Sequence, residues 1–224
     1  ILVKLIDVKE NLSVQVHPDD DYALSRENEY GKNEMWYVLE HEEGAGIYCG
    51  FKQDMTREQV QEALTDGSIL SLLNWIPVED GKAYYIPAGT VHAIGKGVVV
   101  CEIQQSSNCT YRLYDYDRTD RYGNRRQLHV EKALDVTLCT PPVKHDFGEH
   151  LAQCEYFTVD ARNGAFEGVA DEKSFVSLLI TDGEGTLTSG GETVAVKKGE
   201  SYFLPAASGP YAVTGTCQTL VTTV

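Results

Sequence analysis

Short apolar and β-branched runs make up most of this chain, and Gly, Pro, Asp or Asn ends each run after a few residues. Such runs predict β-strands, for example at residues 12–16, 35–39, 83–86, 98–103 and 175–180. No long helices alternate with these runs, so the pattern favours an antiparallel sandwich or barrel over a parallel sheet. We therefore predict an all-β fold.

One stretch departs from this pattern and predicts a helical insert at about residues 55–75. Thr56 and Gln59 have the spacing of a capping box, in which each side chain bonds the other residue's backbone amide. Apolar residues then follow at helical spacing, and Gly67 ends the helix. A second short helix is expected at residues 69–73.

Charge and cysteine content narrow the choice of partner and compartment. The chain carries 34 acidic and 19 basic residues, a net charge of −15, which argues against nucleic acid or an anionic membrane as the main partner. A small anionic substrate is compatible with this charge if a few Lys and Arg converge on one pocket. The six cysteines form no C-x-x-C pair and are expected to be free thiols in a reducing cytoplasm. No apolar run approaches the length of a membrane span, and no signal peptide is recognised.

The segment from Ser13 to Pro18 is the first part of a candidate metal site. Alternate side chains of a strand share a face, so Ser13, Gln15 and His17 point one way and two valines point the other. Three polar residues on one face indicate a barrel with a polar interior. Taken alone, His17 is more often a core or surface histidine than a ligand.

The segment from Gly81 to His92 has the form G-x5-P-x-G-x2-H, in which Pro and Gly make a tight turn that directs the histidine into the barrel. This spacing resembles the second signature motif of the cupin superfamily. Glu34 begins another predicted strand. Two imidazoles, a carboxylate and the Gln15 amide oxygen suit Zn²⁺ and would also accept Fe²⁺, Mn²⁺ or Co²⁺.

Four separated motifs extend the resemblance to type I mannose-6-phosphate isomerases, most closely to the short bacterial form. They are the segment from Ser13 to Asp20, the segment from Lys32 to Tyr37, the segment from Pro87 to Ala93, and Tyr111-Arg112. They occur in this order within about residues 1–130. Family members carry a further N-terminal stretch before the first motif, which is expected to contribute to the pocket.

The resemblance implies a role for each matching residue. It implies metal ligation by Gln15, His17, Glu34 and His92. It places the active-site arginine at Arg112. The remaining positions similar to pocket residues of the family are Lys32, Glu102, Ser13 and Arg118.

The implied reaction interconverts mannose 6-phosphate and fructose 6-phosphate through an enediol. A metal would stabilise negative charge on the sugar oxygens, and Arg112 would add a fixed cation beside the enediolate or the phosphate. Glu102 is the candidate for the proton shuttle, with a paired structural acid as the alternative. Lys32, Arg112 and Arg118 are expected to form the basic cluster. Arg121, Arg125 and Arg126 are expected to form a solvated loop.

A linker is expected at about residues 140–148, dividing the chain into a metal-binding cupin jelly-roll barrel at 1–140 and a second β unit at 145–224. Within the second unit, the segment from Gly199 to Pro210 repeats the G-x5-P form, but Ala207 replaces the glycine and Pro210 replaces the histidine. We therefore expect a degenerate cupin-like unit without a metal.

Two rival functions remain open from the sequence. An Fe²⁺-dependent cupin dioxygenase would also use two histidines and a carboxylate, although Gln15 and the pair Arg112 and Lys32 argue against it. A non-catalytic sugar-phosphate sensor would keep the fold and the metal, and loss of Arg112 or Lys32 would have favoured it. The sequence leaves the oligomeric state open.

Overall fold

The computed structural model describes residues 1–224 and separates them into two compact units, Ile1–His145 and Asp146–Val224. Both units consist mainly of antiparallel strands, so the predicted all-β class is confirmed. None of the helices has the length and apolar character needed to cross a lipid bilayer. All six cysteines are free, as the sequence predicts.

The first unit contains nine strands and four helices. The strands are β1 (Leu2–Asp7), β2 (Val14–Val16), β3 (Glu34–His41), β4 (Gly46–Phe51), β5 (Leu73–Pro77), β6 (Ala83–Ile86), β7 (His92–Ile94), β8 (Val98–Gln104) and β9 (Tyr111–Tyr114). The helices are α1 (Asp20–Glu27), α2 (Arg57–Asp66), α3 (Ile69–Leu72) and α4 (Val130–Val136).

Two antiparallel sheets form the first unit, with strand orders β1-β8-β3-β6 and β5-β4-β7-β2-β9. Residues from both sheets make one apolar core, which includes Trp36 and Val100 from the first sheet and Ile47 and Ile94 from the second. The two sheets therefore pack face to face, as expected for strands that each bury one side.

Helices cover the outer face of the second sheet. Val14 and Val16 pack into a core with Val60 of α2 and Ala133 of α4, so the valines of β2 face the helical layer. Gln15, which lies between them, consequently faces the space between the sheets. This arrangement confirms the predicted alternation along β2.

The predicted helical insert is present as α2 and α3. Thr56 accepts from the amide of Gln59 and the Gln59 side chain accepts from the amide of Thr56, which confirms the capping box. Gly67 ends α2 with a positive φ of 79°. The two remaining helices, α1 and α4, were not predicted.

The second unit contains nine further strands: β10 (Ala152–Gln153), β11 (Thr158–Asn163), β12 (Phe166–Ala170), β13 (Val176–Asp182), β14 (Glu184–Ser189), β15 (Glu192–Lys197), β16 (Ser201–Leu204), β17 (Gly209–Gly215) and β18 (Gln218–Thr223). They form two antiparallel sheets, β10-β11-β18-β13-β16 and β12-β17-β14-β15. Leu178 and Val221 of the first sheet and Leu187 and Val213 of the second share its core.

The turn after β16 repeats the geometry of the turn after β6. The amide of Ser208 bonds the carbonyl of Pro205 at 3.1 Å, and the amide of Thr90 bonds the carbonyl of Pro87 at 3.1 Å. Ala207 has a φ of 64°, in the left-handed region that Gly89 also occupies. The second unit thus keeps the backbone of this turn without its glycine, at a cost of about 1 kcal/mol for a residue with a Cβ.

Candidate active site

The predicted metal ligands come from both sheets of the first unit. Gln15 lies in β2 directly opposite His92 of β7, and His17 follows β2. Glu34 begins β3 in the facing sheet. Ligand atoms of His17, Glu34 and His92 all lie within 4.8 Å of one another, and the three residues are at most 2% exposed. The structure therefore brings these three residues together in the interior.

Each histidine is oriented by its Nδ1 atom. His17 Nδ1 lies 2.9 Å from the carbonyl oxygen of Cys109, and His92 Nδ1 lies 2.8 Å from that of Thr90. A carbonyl oxygen only accepts, so each Nδ1 carries a proton, and in the neutral imidazole each Nε2 presents a lone pair. Both Nε2 atoms lie 3.2 Å from a carboxylate oxygen of Glu34.

The acceptor atoms of His17 and Glu34 would be stabilised by a cation at the centre of the cluster. His17 Nε2 and Glu34 Oε1 are buried without a hydrogen-bond partner. Buried unpaired acceptors are costly, and a cation between them would satisfy both. The Gln15 amide reaches the same place, with its nitrogen 3.3 Å from His92 Nε2, and a rotation of the amide exchanges nitrogen for oxygen. The donor set fits a divalent metal.

The charge states of the cluster also suit a metal. Burial lowers the pKa of His92 to about 4, so its imidazole is neutral at pH 7. Burial favours the protonated form of Glu34, but the positive charges that His17 and His92 gain on protonation, together with Lys32, outweigh burial and hold the pKa of Glu34 well below its ordinary value. A neutral imidazole and an ionised carboxylate are the forms that bind metal.

Gly89 shows why the turn before His92 needs glycine. Its φ is 83°, and a Cβ at this position would lie 2.8 Å from Leu138 Cγ and 3.0 Å from the carbonyl oxygen of Val136. Its amide bonds the carbonyl of His17 at 2.8 Å, and its carbonyl accepts from the amide of Leu138 at 2.8 Å. The turn is thereby hydrogen-bonded to the backbone of His17, one predicted ligand, and it positions His92, the other.

The predicted active-site arginine borders this cluster. Arg112 of β9 lies opposite Gln15 of β2. Its Nε donates to Ser13 Oγ at 3.3 Å, and its Nη1 donates to the carbonyl of Gln127 at 2.9 Å. Ser13 is buried and directly precedes β2, the strand that carries Gln15. The guanidinium group is therefore held at one side of the cluster by side-chain and backbone oxygens.

Lys32 and Glu102 are buried at the other side of the cluster. Lys32 Nζ donates to Thr110 Oγ1 at 3.2 Å, and burial lowers the pKa of this lysine. Burial and the nearby Glu34 raise the pKa of Glu102. Trp36 Nε1 donates to Glu102 Oε2 at 3.1 Å. The carboxylate of Glu102 is thus oriented by a hydrogen bond, and its raised pKa makes it a stronger base than an ordinary glutamate.

Lys4 is a residue of this region that the sequence reasoning missed. It lies on β1 opposite Glu102 of β8, and its Nζ donates to Glu102 Oε1 at 2.7 Å and to Gln104 Oε1 at 2.6 Å. The alternation of β1 places Lys4 on one face, but only the pairing of β1 with β8 identifies its partners. That pairing is not readable from the sequence.

In the loop after β9, one buried carboxylate binds two arginines. Arg118 bonds Asp115 and donates to the carbonyl of Asn11 at 2.7 Å. Arg126 was expected to be solvated, but its Nε donates to Asp115 Oδ2 at 2.7 Å. Arg126 is exposed, as expected, but the buried carboxylate of Asp115 binds its guanidinium group as well as that of Arg118. These interactions lower the pKa of Asp115 against the effect of burial.

Comparisons with known proteins agree with this architecture. The family model described as mannose-6-phosphate isomerase, cupin domain, matches residues 148–224. Mannose-6-phosphate isomerase ManA of Bacillus subtilis is 36% identical over 233 residues, which cover 99% of this chain and 74% of ManA. Mannose-6-phosphate isomerase of Streptococcus mutans is 38% identical over 216 residues, which cover 92% of this chain and 68% of the relative.

A solved structure extends the likeness to three dimensions. The crystal structure of the mannose 6-phosphate isomerase from Bacillus subtilis superimposes with a TM-score of 0.91 at 37% identity, covering 100% of this chain and 74% of the other. The chain belongs to the mannose-6-phosphate isomerase family. Its fold is that of the type I phosphomannose isomerases in the cupin superfamily, which confirms the predicted fold class and family resemblance.

Membership of the mannose-6-phosphate isomerase family bears on the two rival functions that the sequence left open. It makes the chain an enzyme of the aldose–ketose isomerase class, so the dioxygenase and the non-catalytic sensor are not favoured. The family and the cluster of His17, Glu34 and His92 together indicate a divalent metal. The sugar-phosphate class of substrate follows from the same family.

Proposed function

We propose that this chain interconverts mannose 6-phosphate and fructose 6-phosphate by moving a proton between C2 and C1 through an enediol. The observation that carries the proposal is the buried cluster of His17, Glu34 and His92, whose ligand atoms converge within 4.8 Å of one another. It occurs in a chain whose relatives bear the name mannose-6-phosphate isomerase.

The metal is proposed to be Zn²⁺, held by Gln15, His17, Glu34 and His92. Two imidazole nitrogens with oxygen donors match the ligands that zinc prefers, although other divalent ions accept the same set. When bound, such an ion acts as a Lewis acid that stabilises negative charge on sugar hydroxyl and carbonyl oxygens.

Glu102 is proposed to move the proton, with Lys4 and Trp36 fixing its carboxylate. A raised pKa makes Glu102 a stronger base than an ordinary surface glutamate while it is ionised. Lys4 Nζ and Trp36 Nε1 donate to different oxygens of the carboxylate, which fixes its plane.

The phosphate and the developing negative charge are proposed to be bound by Arg112, Lys32, Arg118 and Ser13. A planar guanidinium group matches phosphate oxygens in a two-point arrangement, and a lysine adds a point charge. Lys32 is almost fully buried, so its charge acts in a medium of low dielectric constant and is strong at short range. These cations offset the repulsion between an acidic protein and a phosphorylated sugar.

We further propose that the protein works in the cytoplasm, with neither nucleic acid nor membrane as a partner. Its six free cysteines suit a reducing compartment, and its net charge of −15 disfavours polyanionic surfaces.

Isotope incorporation tests the proposed reaction. The zinc-loaded protein is incubated with mannose 6-phosphate in D₂O, and the fructose 6-phosphate formed is analysed by mass spectrometry and NMR. An enediol mechanism predicts product that carries deuterium at C1 in part or in full, and loss of turnover with a chelator. Absence of fructose 6-phosphate from protein that retains bound zinc would contradict the proposal.

A further inference from the structure

Arg112 lies on the outer edge of its sheet, because β9 pairs only with β2. In that position its backbone amide and carbonyl point away from β2 and need partners elsewhere. A single residue provides both. The amide of Arg112 donates to His129 Nδ1 at 3.2 Å, and the amide of His129 donates to the carbonyl of Arg112 at 2.8 Å. His129 thus takes the place of a neighbouring strand at this one residue.

The same short segment holds the side chain of Arg112. The carbonyl of Gln127, two residues before His129, accepts from Arg112 Nη1 at 2.9 Å. Residues 127–129 therefore contact both the backbone and the guanidinium group of the arginine. The remaining side-chain bond, from Nε to Ser13 Oγ at 3.3 Å, directs the group toward the strand that carries Gln15 and precedes His17.

The imidazole of His129 is not used by the helix that it precedes. His129 is the N-cap residue of α4, a position whose side chain commonly accepts from the first helical amides. Here the side chain makes no cap hydrogen bond. Its ring lies beside Tyr111, with centroids 6.2 Å apart, and its Nδ1 accepts from Arg112 instead.

The protonation state of His129 allows Nδ1 to act as an acceptor. Burial and the positive charges of Arg112 and Lys132 lower the pKa of His129, while Glu27 opposes them. The imidazole is therefore neutral at pH 7, and one of its nitrogens carries a lone pair.

We propose that His129 is a positioning residue, which acts on the reaction by fixing the backbone and hence the guanidinium group of Arg112. This inference rests on the proposed function, because it takes Arg112 to contact the sugar phosphate. A displacement of about 1 Å of such a group can cost on the order of a hundredfold in rate. No motif in the sequence singles out His129.

Two substitutions at this position separate positioning from general stability. His129→Ala removes the Nδ1 acceptor, whereas His129→Asn places an oxygen acceptor at nearly the same distance from the backbone. Lys132→Met is the matched control: it lies in α4 and removes an ion pair with Glu27 of 2.7 Å, but it makes no hydrogen bond to Arg112. Turnover of mannose 6-phosphate is measured for each variant of the full chain loaded with zinc.

We expect His129→Ala to lower kcat/KM by about tenfold to a hundredfold. His129→Asn should recover most of the loss, and Lys132→Met should stay within about twofold of the original protein. In an Arg112→Ala background, His129→Ala should cause little further loss, because residues that act through one group are not additive. An equal loss in both backgrounds, or no loss in either, would overturn the inference.

Amide hydrogen exchange followed by NMR tests the inference without turnover, so failure of the proposed function would be recognised separately. The Arg112 amide should exchange about fivefold faster or more in His129→Ala, and near its original rate in His129→Asn. The Ala133 amide, which bonds the backbone carbonyl of residue 129, should be unchanged if α4 stays folded. Unchanged exchange at Arg112 in His129→Ala would overturn the inference even if the enzyme is active.

Discussion

At the scale of single residues, proton positions define the candidate metal site as much as distances do. Two backbone carbonyls accept hydrogen bonds from Nδ1 of His17 and His92, so in the neutral imidazoles both Nε2 atoms face Glu34 as lone pairs. Without a cation this arrangement places acceptors against acceptors in the protein interior. The site is therefore preorganised for a metal, and each of the three residues should matter to metal binding.

Glu34→Gln keeps the shape of the side chain and removes its charge. We expect at least a tenfold loss of zinc affinity, since even the hydrogen-bond partners of metal ligands typically contribute that much. Chelator competition measures the affinity. His41→Ala is the control, because His41 is a partly exposed histidine bonded to Asp80 in the same unit and should leave zinc affinity unchanged. Equal zinc affinity in Glu34→Gln and the original protein would contradict the assignment.

Lys4→Met tests the coupling between Lys4 and Glu102. The hydrogen bond and charge of Lys4 lower the pKa of Glu102 and so oppose burial and Glu34, which raise it. Removal of Lys4 should therefore raise this pKa further. If Glu102 must be ionised to accept the proton, activity is lost as pH falls through this pKa, and the acidic limb of the kcat/KM profile should move to higher pH.

A pH profile of Lys9→Met provides the comparison, because Lys9 is an exposed lysine paired with Asp7. Its acidic limb should coincide with that of the original protein. A limb that stays in place in Lys4→Met, or moves to lower pH, would show that Glu102 is not the titrating base.

At the scale of elements, the sequence predicted helices where local signals were complete and missed them where they were partial. The capping box at Thr56 and the terminal Gly67 predicted α2. Helix α4 has a helical apolar spacing at Val130, Ala133 and Leu134, but its N-cap side chain makes no cap bond. In α1 the cap is Asp19, which accepts from the Tyr22 amide. This helix is short and buries only Ala23, so its sequence has no apolar residues at helical spacing that would predict it.

Strand pairing was the part of the fold that the sequence could not supply. Alternation along β2 predicted which side chains share a face, because that depends on the strand alone. The partners of Lys4 and Arg112 depend on which strands pair and in which register, a long-range property. Residues whose contacts depend on such long-range packing, Lys4 and His129, were therefore missed, whereas motif residues such as His92 were found.

Thr56→Ala tests the contribution of the capping box to stability. Loss of the hydroxyl acceptor leaves the Gln59 amide without its side-chain partner, so the free energy of unfolding should fall by about 1 kcal/mol. Urea denaturation measures the change. Thr65→Ala near the end of the same helix should be neutral or slightly stabilising, since Thr65 only bonds a helical carbonyl and alanine is the better helix former. Equal destabilisation by both substitutions would contradict the role of the cap.

At the scale of the whole molecule, the two β units have separate cores, and only the first contains the candidate metal ligands. The proposed metal cluster, the cations around it and the carboxylate of Glu102 all lie in Ile1–His145. The unit Asp146–Val224 keeps a matching turn at Pro205 but has no histidine after His150. Metal binding should therefore be coupled to the folding of the first unit.

Zinc should raise the thermal stability of the protein through this coupling. A ligand that binds the folded state alone adds about 4 kcal/mol when its concentration is a thousand times Kd. For a domain of this size that corresponds to a rise of roughly 10 °C in Tm. Differential scanning calorimetry with and without zinc measures the shift. His92→Ala should show almost no shift, and a full shift in that variant would place the stabilising metal elsewhere.

A joint titration of bound zinc and turnover tests the central claim most directly. Metal-free protein receives increasing zinc, and bound metal and the rate of fructose 6-phosphate formation from mannose 6-phosphate are measured on the same samples. The account predicts a rate that rises in proportion to bound zinc, saturates at one ion per chain and is absent in His92→Ala. Full turnover by metal-free protein, or one bound zinc per chain without turnover, would contradict it.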